Sequence, residues 1–192
     1  MGIPRIDTGP MTVEEFYAFT DARPDEEKWE LIDGEAVLNA SPSDLHRLIL
    51  KNLIVALAAL ERRTSASWSV IPGIGALVSD TSRPEPDVMI LPMSALRADR
   101  PRRDTREAIV LFEIMSPSTA SRDLKWKRAA YASLPALTHY VVVAQDAIDV
   151  LVFARDAGFR DQRFRARDDV IAIPALDIAL PLSDIYYQID FG

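Results

Sequence analysis

Cysteine is absent from this chain, which excludes disulfides and thiolate-bound metals. Histidine occurs only twice, too rarely for a zinc centre rich in imidazole. An oxygen-ligated metal is still allowed. Excess positive charge is missing as well: 22 Lys and Arg stand against 29 Asp and Glu, for a net charge of -7. Nothing global therefore attracts a nucleic-acid backbone, and any such contact needs a local basic surface. No segment reaches the roughly 18 uninterrupted apolar residues of a membrane span. The start, MGIPRIDTGPMTVEEF, lacks both a basic lead and an apolar signal core. A cytoplasmic protein without a membrane span is expected. No internal repeat, low-complexity tract or linker interrupts the text. What is there is 192 residues, 48% of them apolar, which suits a single domain over 1–192 with a substantial core.

Residues 11–20 read as a short helix, with Thr12 as cap and Glu15 completing a capping box. KWELIDGEAVLN is the clearest hairpin signal, because Asp33-Gly34 suits a tight primed turn. From Ser43 to Arg63 apolar residues recur at steps of three and four, which predicts the longest helix. SWSVI and GALVSD flank a Pro-Gly break and can pair as a second hairpin. Pro84 and Pro86 force an extended approach to Asp87 and the strand PDVMIL. EAIVLFEIM is apolar on both faces, as in a covered central strand. Ser116-Pro117-Ser118 ends it and opens a helix over 119–132, followed by the buried strand THYVVVAQ. This succession of strand, helix and strand predicts parallel neighbours with a right-handed crossover. A late hairpin around Ala157-Gly158 and a tail packed on the sheet complete the reading.

Asp87, Glu113 and Lys127 carry the chemistry. A carboxylate opening one strand and another closing the next can meet if the strands pair antiparallel. Two such carboxylates and a lysine are the parts of a metal-dependent phosphodiesterase site. An ionised Glu113 inside an apolar strand costs several kcal/mol unless compensated. The compensation is either an ion pair with a nearby Arg or Lys, or a divalent cation shared with Asp87. Asp123, Lys127 and Tyr131 are four residues apart and line one helical face. An exposed Asp123-Lys127 salt bridge is the simplest reading of that spacing, and a lysine reaching back to Glu113 is the functional one. His46, in the first turn of the long helix, is expected at the surface or in a capping role. His139 begins a strand with no evident partner. Alternation puts Glu30 on the face opposite Trp29 and Leu31, with solvent exposure as the default. Arg97, Arg100, Arg102, Arg103 and Arg106 are interleaved with acids and read as a solvated loop, at the sheet edge away from both carboxylates.

WELIDGEAV, SPSDLH, EPDVMIL and LFEIMSPST followed by D-x-x-x-K-x-x-x-Y, in this order, resemble the Uma-two family of restriction-endonuclease-like proteins, a branch of the PD-(D/E)XK nuclease superfamily. The resemblance spans roughly residues 11–187. It implies an α/β fold with a mixed central sheet flanked by helices and an N-terminal hairpin. It also implies Asp87 and Glu113 as ligands of Mg²⁺ or Mn²⁺, with Lys127 moved from the strand to the helix. The superfamily lysine normally lies two residues after the glutamate, where this chain has Met115. The acidic and aromatic pair usual in the strand after the helix is replaced by His139, Tyr140 and Val141. The expected activity is endonucleolytic phosphodiester hydrolysis. Glu30 assists from the second layer, and His46, Asp123 and Tyr131 are weaker supporting candidates. A nuclease fold kept for binding or assembly is the alternative. The expected partner is nucleic acid, DNA before RNA, with a homodimer left open.

Overall fold

The computed structural model describes residues 10–96, 102–115 and 120–192, with the side chains of 120–123 outside the description. Helix α1, Val13–Asp21, starts on the expected capping box: Thr12 accepts from the Glu15 N–H, and the Glu15 carboxylate takes the Thr12 N–H at 2.8 Å. Strands β1, Trp29–Ile32, and β2, Glu35–Leu38, form the hairpin. Its turn needs positive φ at both centres, 49° at Asp33 and 81° at Gly34. A side chain at Gly34 would also come within 2.9 Å of the Pro10 Cα. Helix α2, Asp44–Thr64, is capped by Ser43, whose hydroxyl accepts from the His46 N–H.

The remaining elements build the main sheet. Strand β3, Trp68–Pro72, is followed by the short β4, Gly75–Ala76, then β5, Val88–Pro92, and the short β6, Asp104–Thr105. Next come β7, Val110–Met115, helix α3, Ala120–Ala132, β8, His139–Ala144, β9, Val150–Ala154, and β10, Asp161–Phe164. The order β10-β9-β8-β7-β5-β3 makes a six-stranded sheet in which β7 and β8 run parallel and all other neighbours antiparallel. The expected pairing of the Asp87 and Glu113 strands is therefore present.

SWSVI and GALVSD do not form a hairpin with each other. β3 pairs with the apolar β5 along its full length, while β4 pairs parallel with β6. Gly73, at φ 66°, turns the chain out of the sheet between them. The sequence reading also missed a hairpin near the C-terminus, strands β11, Val170–Ile173, and β12, Ile178–Pro181, which precedes the short helix α4, Leu182–Ile185. In β11 buried and exposed residues alternate. That is the pattern of a strand laid over a core on one side only.

Period-two alternation along β7 divides the interior. Val110, Phe112 and Ile114 face a core with α2, the β11–β12 hairpin and α4. Leu111 and Met115 face the other core, with Tyr131 of α3, Leu134 and Tyr140. Glu113 shares the parity of the second set, so its carboxylate points toward α3. A third, small core joins α1 to the hairpin through Phe16, Trp29, Leu31 and Ala36.

Candidate active site

The last registered pair between β5 and β7 is Val88 with Phe112, which sets Asp87 opposite Glu113 one step further out. Pro84 and Pro86 hold Arg83 and Glu85 extended, so the chain runs straight to Asp87 at the sheet end. There Asp87 Oδ2 accepts the Ile114 N–H at 2.7 Å, and Oδ1 lies 3.0 Å from His46 Nε2. His46 thus reaches the site from the first turn of α2. This corrects the surface role expected for it, because α2 packs on the sheet with its N-terminus beside the start of β5.

Lys127 is buried, which removes the exposed salt bridge as its reading. Its Nζ donates to both Glu113 oxygens at 2.9 and 3.1 Å and to Glu30 Oε1 at 3.0 Å. One turn further along α3, the Tyr131 hydroxyl donates to Glu113 Oε1 at 2.7 Å. The i,i+4 spacing therefore aims two donors at one carboxylate. The side chain of Asp123 lies outside the described residues, and Lys125, on another face, is exposed.

Glu30 is 3% exposed, against the expectation of a solvated side chain. Alternation correctly put it opposite Trp29 and Leu31, but that second face of the hairpin is covered by α3 and by the segment before Asp87. Leu31 and Arg83 exchange backbone hydrogen bonds, and Glu30 Oε1 takes the Glu85 N–H at 2.7 Å. Trp126 Nε1 donates to Asp33 Oδ2 at 2.7 Å, which ties α3 to the hairpin turn. No local pattern marks these contacts, since each joins segments distant in sequence.

Burial pushes the Glu113 carboxyl up to about 7, with Glu30 and Asp87 adding to the rise and Lys127 opposing it. Burial alone would lower Lys127, yet Glu113 and Glu30 hold its ammonium well above the ordinary lysine value. Tyr131 is raised by burial and by Glu113, so it stays a donor. Among the described residues the buried Tyr140 hydroxyl has no hydrogen-bond partner, and burial beside Glu113 raises it also. His139 lies away from this group: its Nδ1 is 3.0 Å from Thr138 Oγ1, and burial lowers its pKa.

The cluster lines a cleft of about 730 Å³ whose walls include Asn39, Ser43, His46, Asp87, Glu113 and Lys127. Two carboxylates at a sheet end with a lysine beside them can bind a hard cation and face a phosphate. Among the described residues no group of three or more His, Cys, Asp or Glu is arranged to hold a metal by itself. Arg102, Arg103 and Arg106 pair with Glu107, Asp21 and Asp80, as a solvated loop would, while Arg97 and Arg100 lie outside the described residues. No described helix is long and apolar enough to cross a membrane.

Comparison with known proteins bears on the fold and the family. A solved structure described as a putative nuclease belonging to DUF820, from Anabaena variabilis, superposes with a TM-score of 0.76. It is 15% identical and the match covers 92% of this chain and 98% of that one, which establishes a shared fold. No curated protein matches. The family model Uma2, described as "Putative restriction endonuclease", matches residues 13–183. The chain belongs to the Uma2 family of restriction-endonuclease-like proteins.

Proposed function

We propose that the protein is a Mg²⁺- or Mn²⁺-dependent endonuclease that hydrolyses phosphodiester bonds in nucleic acid, with DNA as the first substrate to test. The observation that carries this reading is the buried ammonium of Lys127 shared by Glu113 and Glu30 at a cleft that Asp87 also lines. The donor set fits a hard cation. Asp87, Glu113 and Glu30 offer three carboxylates against one lysine, and the Glu113 carboxyl is held up to about 7 by burial and by its acidic neighbours. A further positive charge would relieve that. Mg²⁺ commonly binds through one or two carboxylates and keeps several waters, so Asp87 and Glu113 suffice as protein ligands. When bound, such an ion supplies charge that polarises phosphoryl oxygens and lowers the pKa of water.

The chain's own groups do the rest. His46 and the Ile114 N–H fix both oxygens of Asp87, and Tyr131 and Lys127 fix Glu113. Glu30 holds Lys127 at the cleft, where its ammonium stabilises charge developing on the attacked phosphate.

One observation favours a second reading, a nuclease fold retained for binding or assembly. Glu113 and Asp87 are already satisfied by internal donors. Titration calorimetry with Mg²⁺ and Mn²⁺, on wild type, Asp87→Asn and Glu113→Gln, separates the two when run beside plasmid and oligonucleotide cleavage at low salt. The nuclease reading expects metal binding weakened by both substitutions and cleavage lost with it. Equal metal affinity in wild type and Asp87→Asn, or no substrate cut under any condition, gives the second reading the better account.

A further inference from the structure

We infer that Gln145 is a substrate-binding residue, a neutral donor oriented in advance toward a backbone phosphate of the nucleic-acid strand. The inference rests on the nuclease-fold reading above and names a contact of that same cleft. Gln145 follows β8 directly, where its N–H donates to the Met115 carbonyl at 3.1 Å. That bond sets its backbone beside the end of β7, two residues beyond Glu113. Its side chain lines the same cleft as Asp87, Glu113 and Lys127.

Across the cleft wall Ser43 fixes the orientation of the amide. The Ser43 hydroxyl oxygen accepts the His46 N–H at 3.1 Å as the cap of α2. Its single hydrogen is left to donate, and it points to Gln145 Oε1 at 3.2 Å. The carbonyl end of the amide is therefore turned to Ser43, and the NH₂ end carries most of the free capacity. Among the described residues no acceptor takes those Nε2 protons.

The chemistry of the cleft indicates what they meet. Four carboxylates, Glu30, Glu85, Asp87 and Glu113, stand on the walls of the site, and a polyanion needs donors beside them. A free glutamine reads adenine by pairing an acceptor and a donor with the base edge. With one of the two Oε1 lone pairs taken by Ser43, the larger free capacity of Gln145 is its two Nε2 protons. A free NH₂ group suits an anionic oxygen, and phosphate oxygens recur along a strand whatever its sequence. A neutral donor also avoids a new ion pair with the nearby carboxylates, which a lysine or arginine at this position would form.

The test uses the full chain with Mg²⁺ and two labelled oligonucleotides of unrelated sequence, read by fluorescence anisotropy and by initial cleavage rates. Loss of one hydrogen bond to a charged group corresponds to a change in affinity of roughly tenfold. Gln145→Ala should therefore raise the dissociation constant and KM by about that factor on both sequences, with kcat and calorimetric Mg²⁺ affinity nearly unchanged. Gln145→Glu should weaken binding further, because it sets a like charge against the phosphate. Unchanged binding in both variants overturns the proposal. So does a loss confined to one sequence, which would mean base reading, or a fall in kcat at constant KM. Wild type that binds both oligonucleotides but never cuts them sinks turnover alone, and anisotropy then still decides the role of Gln145. Wild type that binds neither overturns both readings.

Discussion

Replacing Lys127 by methionine keeps most of its apolar stem and removes the charge that Glu113 and Glu30 share. Both acids are nearly inaccessible to water, at 6% and 3% exposed. Breaking a buried ion pair from one side typically costs about 3–5 kcal/mol, because the remaining charge stays buried. Each kcal/mol lowers the melting temperature of a domain this size by roughly 2–4 °C, so a fall on the order of 10 °C is expected near neutral pH. The cost depends on pH. Glu113 is raised in the folded state from the ordinary 4.5 to about 7, so the folded protein binds more protons than the unfolded chain between those values. Stability in wild type therefore declines as pH rises across that window. Without Lys127 the favourable charge that the described residues place beside Glu113 disappears, its pKa climbs further, and the decline extends to higher pH. The gap between wild type and Lys127→Met should widen from pH 5.5 to pH 8, measured by urea denaturation. Glu113→Gln in the same background should narrow it again. A pH-independent gap of less than about 0.5 kcal/mol, the range of an exposed helical salt bridge, would refute the argument.

Other outcomes follow from particular contacts. His46→Ala removes the partner 3.0 Å from Asp87 Oδ1 and should weaken calorimetric Mg²⁺ binding by about tenfold or more while leaving the fold intact; undiminished affinity would make His46 structural. Burial lowers the His139 pKa, so the unfolded state gains a proton first as pH falls below 6.5 and this residue's own contribution to stability falls there, opposite in sign to that of Glu113. His139→Gln should therefore gain more stability than wild type between pH 7.5 and pH 5.5 in urea titrations, and parallel curves would contradict the assignment. Gly34→Ala meets both a φ of 81° and the Pro10 backbone, so it should cost on the order of 1–3 kcal/mol and loosen the hairpin, as read by hydrogen exchange at the Gly34 N–H.

The strands of Asp87 and Glu113 were legible in the sequence because each signal is local: prolines that enforce extension, and an apolar run too uniform for an exposed strand. Their antiparallel pairing was legible only as the condition for the two carboxylates to meet, because the connection over 93–109 is too long to dictate it. Lys127 was legible as a candidate because helical spacing links it to Tyr131, although spacing alone could not separate a solvated bridge from a buried one. Glu30 and His46 were misjudged for the same reason. Their faces are covered by α3 and by the start of β5, and nothing within a few residues of either encodes that cover. The β4–β6 pairing shows the limit again, since two-residue strands carry no period and are selected by what lies beside them.

Lys127 also fastens the N-terminal hairpin to the main sheet, because its ammonium bridges Glu30 of β1 and Glu113 of β7. The lysine that would face a phosphate is thus a rivet between two parts of the domain. A descendant that ceased to cut nucleic acid would still be under pressure to keep the lysine, since dropping it leaves two buried acids without their shared cation, while dropping either acid removes one end of the bridge. For proteins built this way, an intact triplet of Glu30, Glu113 and Lys127 counterparts reports that the hairpin is docked. Whether the cleft still turns over is a separate property, carried by groups such as Asp87 that the rivet does not require.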